Sequence, residues 1–117
     1  MTKGKIISVA DSIRPNNYPM ETKLEWVDIL EKQICRHMCR YDEADITPSP
    51  STEDAAAVLD DEHLYMYAYY LVAMIDLGNQ DVAMYNNSSA YFNTLYENWQ
   101  KKWRREHLPY PQKGGER

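Results

Sequence analysis

Long hydrophobic runs and phenylalanine are both scarce in this sequence. The longest apolar run, Leu64 to Ile75, has twelve residues, whereas about 20 are needed to cross a bilayer. Near the N-terminus, Lys3 and Lys5 lead into only Ile6 and Ile7 before Ser8 and Asp11 interrupt, which is too short for the core of a signal peptide. The sequence therefore predicts a cytoplasmic chain with no membrane partner, in which Cys35 and Cys39 are reduced.

The single Phe contrasts with ten Tyr and three Trp. A tyrosine ring carries a hydroxyl, so it suits contacts between subunits and half-hydrated cores better than a dry interior. Apolar residues make up 44% of the chain, which is typical of a folded domain and excludes disorder throughout. The length of 117 residues predicts one domain, spanning 1–110, followed by a disordered tail at 111–117.

Basic residues are absent between Tyr41 and Gln100, and the net charge of the chain is −5. Because phosphate binding needs Lys and Arg, this charge weighs against a dedicated nucleic-acid binder. Three interpretations stay open for the cations that follow: partners of the helix dipole, a nucleic-acid contact helped by tryptophan stacking, or a contact with acidic residues 42–62 of a neighbouring copy. These cations are Lys101, Lys102, Arg104 and Arg105.

The pattern of apolar residues predicts an all-α fold with four helices and no sheet beyond one short hairpin. The short first helix opens with a capping box, Ser8 and Asp11, and stops at Arg14-Pro15. On the second helix, Glu31 is assigned to the solvent face. A long loop at 41–59 joins helices two and three. The predicted helices lie near residues 8–14, 19–39, 60–77 and 80–107.

The third predicted helix is apolar on nearly every side, and Gly78 is expected to end it in a left-handed conformation. The other helices of one monomer cannot easily cover such a surface. We therefore expect this helix to be the most buried element and its tyrosines to be covered by a neighbouring subunit. These tyrosines are Tyr65, Tyr67, Tyr69 and Tyr70.

The fourth and longest predicted helix carries a heptad-like row of residues spaced four and three apart. The row consists of Tyr85, Ser89, Phe92, Tyr96, Trp99 and Trp103. Asn86, Asn87 and Ser88 accompany it, although Asn and Ser are more usual at caps and turns. We interpret this polar segment as a close-packing point, where Ser89 lets another backbone approach and the Asn86 amide bonds across the contact. The contact lies either between helices three and four or between subunits.

No local motif predicts catalysis or a bound cofactor. Cys35 and Cys39 share a helical face, but no second Cys pair or His cluster completes a tetrahedral metal site. We expect two free thiols on the core side of the second helix. Asp60, Asp61 and Glu62 stand at a helix start, where acids mostly serve as caps. The chain is therefore predicted not to be an enzyme and to bind no metal or cofactor.

Two stretches resemble a known family: YYLVAMIDLGNQDVAMYNNSSAYFNTLYENW at 69–99 and RREHLPYP at 104–111. Here the chain is similar to the head–tail connector, or adaptor, proteins of tailed phages and prophages of low-GC Gram-positive bacteria. The segment IRPNNY at 13–18, followed by a helix that contains Trp, is similar as well. The matching positions are Tyr69, Tyr70, Leu71, Ala73, Ile75, Asp76, Tyr85, Asn86, Asn87, Ser88, Phe92, Tyr96, Arg105, His107 and Pro109.

The resemblance implies an all-α subunit of a homo-oligomeric ring beneath the portal at the capsid vertex. Such a ring contacts the portal protein and a tail-side completion protein, joins capsid to tail, and lets DNA pass through its channel. The implied location is the head–tail junction of the virion, with the bacterial cytoplasm as the place of synthesis. The alternative function is a small DNA-binding packaging or regulatory protein that uses the basic C-terminal helix.

Overall fold

The computed structural model describes residues 1–41 and 46–107, and every regular element within these ranges is helical. The α-helices are α1 (Lys3–Ile13), α2 (Met20–Met38), α3 (Leu64–Gly78) and α4 (Val82–Glu106), and a single-turn 3-10 helix at Asp61–His63 precedes α3. The predicted all-α fold of four helices is confirmed. The predicted tail at 111–117 and the loop residues 42–45 lie outside the described residues.

Helix α1 begins five residues earlier than predicted. The Thr2 side chain accepts a hydrogen bond of 3.1 Å from the backbone N–H of Lys5, so Thr2 is the N-cap. Ser8 and Asp11 lie inside the helix, and the predicted capping box is therefore wrong. The C-terminal end is as predicted, because Arg14 precedes a proline and adopts an extended conformation.

Helix α3 is the central helix and packs against α1, α2 and α4. Tyr67, Leu71, Val72 and Ile75 have no exposed surface, and burying each such side chain stabilises the fold by about 1.5–3 kcal/mol. The prediction that this helix is the most buried is confirmed. The expectation that one monomer cannot cover it is wrong, because three neighbouring helices and Leu59 of the preceding loop supply most of the cover.

The described part of the loop between α2 and α3 folds back onto the start of α1. The N–H groups of Lys3 and Gly4, which have no acceptor within their own helix, donate to the carbonyls of Ala55 (3.0 Å) and Glu53 (2.8 Å). A Cβ atom at residue 4 would lie 3.0 Å from the Glu53 carbonyl oxygen, so glycine permits this close approach. Loop and helix thus satisfy each other's backbone groups.

The turn between α3 and α4 differs from the prediction. Gly78 is the last residue of α3, whereas the residue with positive φ is Gln80, at 59°. A side chain at position 78 would collide with the Tyr18 ring, which explains the glycine by contact rather than by backbone conformation. The Asp81 side chain then caps α4 by accepting from the N–H of Met84 at 3.1 Å.

Candidate functional site

Glu31, assigned above to the solvent face, lies in the core with no exposed surface. Its carboxylate accepts hydrogen bonds from the N–H of Val58 (2.6 Å), the hydroxyl of Ser49 (2.8 Å) and the hydroxyl of Tyr67 (2.8 Å). The ammonium of Lys3, also without exposed surface, lies 3.4 Å away. One carboxylate therefore joins α1, α2, α3 and the loop.

The hydrogen bonds and the ion pair around Glu31 stabilise the fold. Burial, followed by the charge of Glu31, raises the pKa of Tyr67, so its phenol remains a proton donor to the carboxylate. Lys3 is held in addition by Asp28, at 2.7 Å. Because both oxygens of Glu31 already accept hydrogen bonds, the carboxylate is not poised to accept a proton from a substrate. Glu31 is a structural anchor of the loop.

A second buried carboxylate, Asp76 of α3, ties the turn after α1 to α4. Its Oδ1 accepts from Nε of Arg14 at 2.7 Å, and its Oδ2 lies 2.9 Å from the hydroxyl of Ser88. The Ser88 hydroxyl is also 2.9 Å from the carbonyl of Met84, one turn earlier in α4. Asp76 is 1% exposed and Ser88 is 4% exposed. These hydrogen bonds explain why α4 contains a small polar residue in its interior, and that residue is Ser88 rather than Ser89.

The rest of the polar segment in α4 has no such role within the chain. Asn86 and Asn87 are exposed, and Ser89 is half-buried with its hydroxyl 3.4 Å from the carbonyl of Asn86. The proposed close contact between helices three and four therefore uses Ser88, and the prediction that Ser89 and an Asn86 amide make it is wrong. A role for these residues between subunits stays a prediction.

The aromatic side chains of the predicted row touch one another along the inner side of α4. Phe92 and Trp99 are buried, whereas Tyr85, Tyr96 and Trp103 are half-buried. Ring centroids are 5.4 Å apart for Phe92 and Tyr96, 5.6 Å for Tyr96 and Trp99, and 6.2 Å for Trp99 and Trp103. The row is thus in large part a packing surface of this chain.

The tyrosines of α3 are divided between inside and outside. Tyr67 is enclosed within the chain, and Tyr69 and Tyr70 are half-buried against α4. Tyr65, in contrast, is 58% exposed, and Tyr91 of α4 is 48% exposed. The expectation that a neighbouring subunit must cover Tyr67 is wrong, because the loop and α2 cover it.

The four predicted cations at the end of α4 also divide into two groups. Lys102 forms an ion pair of 2.9 Å with Glu62, which raises the pKa of the lysine and lowers that of the acid. Lys101, Arg104 and Arg105 are exposed and have no ion pair among the residues described. The acidic partner expected from a neighbouring copy is thus supplied to Lys102 by its own chain.

Neither cysteine forms a disulfide, as predicted, but only Cys35 is on the core side. Cys35 is buried, and burial together with the nearby charge of Glu31 raises its pKa to about 11. It therefore remains protonated and unreactive at neutral pH. Cys39 is exposed, because α2 ends at Met38 and the next residue no longer follows the buried face.

The acids before α3 line an open cleft of about 310 Å³ with Trp99 and Trp103 of α4. Ligand atoms of Asp60, Glu62 and His63 lie within 4.8 Å of one another there, which sequence reasoning did not single out. However, Asp60 caps the 3-10 helix, and Glu62 is paired with Lys102. Capping and a surface ion pair explain the two acids without a metal.

Comparison with family models, curated proteins and solved structures finds no match for this chain. In the described ranges, no helix has both the length and the apolar character needed to cross a bilayer.

Proposed function

We propose that the chain is a structural subunit of the head–tail junction of a tailed phage or prophage, where copies assemble into a ring that joins capsid to tail. The proposal starts from the resemblance at residues 69–99 and 104–111. The observation that carries it furthest is apolar surface that the chain leaves uncovered. The most exposed of these side chains are Tyr65, Tyr91, Leu77 and Val82, which are 48–69% exposed.

These uncovered side chains form two groups, one at each end of α3. Tyr65 and Tyr69 are one turn apart on α3, and the ring of Tyr91 contacts Tyr69 with centroids 4.5 Å apart. Leu77 and Val82 stand on either side of the turn that joins α3 to α4. Exposed tyrosine-rich surface of this kind is enriched at contacts between proteins. It supports assembly with further copies or with a portal protein.

A structural role also agrees with how the chain uses its polar side chains. The buried carboxylates Glu31 and Asp76 are occupied by donors from the chain itself. The pKa of Cys35 is raised to about 11 by burial, so the residue is a poor nucleophile. The proposal accordingly assigns no catalytic residue.

The alternative, DNA binding by the end of α4, has weaker support. The exposed cations Lys101, Arg104 and Arg105 favour it. The tryptophans, however, are occupied: Trp99 is 4% exposed, and Trp103 stacks on His107 with ring centroids 3.6 Å apart. Neither is free to stack on a base, and the net charge of −5 repels phosphate.

Two variants of an encoding phage or inducible prophage test the proposal. In the first, Tyr65 and Tyr91 are both replaced by Ser; in the control, the exposed Asn93 and Asn98 are replaced by Ser. Because both tyrosines are exposed, we expect the first variant to melt within a few degrees of wild type but to give heads and tails that do not join. The control should yield infectious particles.

The purified subunit adds a second measurement. Its mass, followed across concentration with and without the portal protein, should rise for wild type and for the control but not for the Tyr65→Ser/Tyr91→Ser protein. Normal particle yields from the tyrosine variant would contradict the proposed interface. Absence of the wild-type chain from purified virions would contradict the proposed function itself.

A further inference from the structure

Two arginines line one pocket on the surface, and a third lies nearby. Arg36 of α2 and Arg40, which follows the end of that helix, line a pocket of about 150 Å³ together with Tyr96 and Gln100 of α4. Arg104 lies one turn beyond Gln100, and its charge, like that of Arg40, reaches the buried His37 beneath the pocket. All three arginines are exposed.

The two helices are held together at this pocket. Nε2 of His37 lies 3.3 Å from the carbonyl oxygen of Gln100, and its ring packs on Trp99 with centroids 5.1 Å apart. The arginines therefore project from a fixed base formed by α2 and α4. A fixed cluster of like charges repels itself, and an anion placed between the arginines relieves that repulsion.

No acid among the described residues pairs with Arg36, Arg40 or Arg104. This distinguishes them from the cations that hold the fold. Those cations each have a carboxylate partner within 3.0 Å: Lys3 with Asp28, Arg14 with Asp76, Lys23 with Asp11, and Lys102 with Glu62. Within the described residues, the pocket is thus a cationic surface without a counter-charge of its own.

The chain itself carries a matching anionic surface. Glu53 and Asp54 are adjacent, exposed, and without an ion pair in the part of the chain that is described. The carbonyl of Glu53 is bonded to the N–H of Gly4, so this acidic pair sits at the start of α1. The acids at 60–62 are already used: Asp60 caps the 3-10 helix, Asp61 pairs with the N-terminal ammonium, and Glu62 pairs with Lys102.

The cationic pocket and the acidic pair are formed by different segments of one copy. The pocket lies where residues 33–40 meet Tyr96 and Gln100 of α4, whereas the acidic pair is bonded to the start of α1, and no ion pair joins the two among the described residues. A contact that joins two different surfaces repeats head to tail, and it closes into a ring when the rotation between copies permits. The net charge of −5 favours such a contact over one with a nucleic acid.

We propose that the pocket lined by Arg36 and Arg40, with Arg104 one turn beyond Gln100, binds the acidic pair Glu53 and Asp54 of a second copy of this chain. The contact deepens the proposed function, since it rests on assembly of the chain with itself and names the residues that join one copy to the next. It is charge-dependent, and it is separate from the tyrosine surface of α3 and α4.

Charge reversal on each side tests the contact. The cation variant is Arg36→Glu/Arg40→Glu, the acid variant is Glu53→Lys/Asp54→Lys, and a third protein combines all four changes. Self-association is measured by analytical ultracentrifugation across protein concentration, at low and at high salt. Each single-sided variant should associate at least about tenfold more weakly than wild type, because like charges then face each other.

Restoration is the decisive result. The protein with all four changes should regain association to within a few-fold of wild type, because the two surfaces are again opposite in sign. An equimolar mixture of the cation variant and the acid variant should regain it too, since each contact in an alternating assembly is complementary. The matched controls Arg105→Glu and Glu25→Lys change the same charges elsewhere and should associate like wild type.

Three outcomes overturn the proposal. If wild type associates and the reversed variants associate equally well, the contact lies elsewhere while the proposed ring survives. If wild type stays monomeric at all concentrations, this contact is absent, and the virion experiment above decides the proposed function independently. If a labelled single-stranded or duplex oligonucleotide binds wild type and loses affinity for Arg36→Gln/Arg40→Gln, the pocket serves a nucleic acid.

Discussion

The charged residues around α1 are buried, whereas the charged residues at the end of α4 are exposed to solvent. Lys3, Glu31 and Asp76 have at most 1% of their surface exposed, and each is bonded to a partner. Lys101, Arg104 and Arg105 are exposed and unpaired among the described residues. The buried charged residues therefore stabilise the fold, whereas the exposed ones are available to bind a partner molecule.

The physical reason is the cost of removing a charge from water. A buried ion that loses its partner is strongly destabilising, so a buried charge must be bonded for the chain to fold. An exposed charge keeps its hydration, and pairing it adds little stability. Substitutions should consequently have large effects on folding in the first group and small ones in the second, where effects on assembly are expected instead.

The largest effect is expected for Glu31→Gln. The glutamine amide has an NH2 group in place of one acceptor oxygen. This NH2 group would face either the donors of Val58 and Tyr67 or the donors of Ser49, so the hydrogen bonds on that side are lost. Lys3 also loses one of its two carboxylate partners. We expect a loss of about 3 kcal/mol in the free energy of unfolding, a large part of the total for a small domain.

Urea denaturation of the purified protein measures this loss. The control is Glu25→Gln, which makes the same chemical change at an exposed position of the same helix and should stay within about 0.5 kcal/mol of wild type. Equal stabilities for the two variants would show that the loop does not depend on the Glu31 network.

A smaller effect is expected for Ser88→Ala. The change removes the hydroxyl that bonds Oδ2 of Asp76, while Arg14 still bonds the same carboxylate. A loss of about 1 kcal/mol is expected from one hydrogen bond to a charged group that keeps another partner. Ser89→Ala is the matched control and should stay within about 0.5 kcal/mol of wild type. The reverse order of the two variants would mean that Ser89 makes the intramolecular contact after all.

The helices could be predicted from the sequence because their signals are local. Apolar spacing, Pro15 and the acids before α3 indicate where helices run and stop, and three of the four helices lie within a few residues of the prediction. The start of α1 could not be predicted in the same way. Thr2 and Ser8 are both acceptable caps, and the choice was decided by the distant loop carbonyls that accept from Lys3 and Gly4.

The buried polar groups were harder to predict than the helices. Glu31 falls in the buried row Val27, Glu31, Ile34, Met38, with spacings of four, three and four, so its position was present in the sequence pattern. The charge of Glu31 favoured its assignment to the solvent-exposed face of α2, because buried acids are rare. Its donors come from Ser49 and Val58 of the loop and from Tyr67 of α3, and no local rule brings them together.

The arginine pocket could not be predicted from the sequence either, for a related reason. The four cations at 101–105 are conspicuous as a run, yet Lys102 is paired with Glu62, and Arg104 is the one whose charge lowers the pKa of His37 beneath the pocket. Arg36 and Arg40 are far away in sequence and became relevant only when α2 and α4 met. These arginines are therefore identified by their positions in the fold and not by the density of charge along the chain.

The smallest expected effect concerns His37, which lies between the two groups of charges. Burial lowers its pKa below the usual 6.5, and the charges of Arg40 and Arg104 lower it further, partly offset by the Gln100 carbonyl that bonds the ring. Below that usual value, the unfolded chain takes up a proton at this histidine more readily than the folded chain does. The stability associated with neutral His37 is thus present above pH 6.5 and is lost as the pH falls toward the lower folded pKa.

The measurement compares the free energy of unfolding at about pH 7.5 and about pH 5.5. Wild type should lose more stability between these conditions than His37→Gln, in which the titrating group is gone and the amide can still bond the Gln100 carbonyl. His63→Gln should lose as much as wild type. Arg104→Gln should reduce the loss, because one of the two nearby cations is removed and the pKa of His37 moves back toward its usual value. An identical loss in wild type and His37→Gln would mean that protonation at His37 does not oppose folding, and that the arginines do not influence this histidine as the pocket geometry requires.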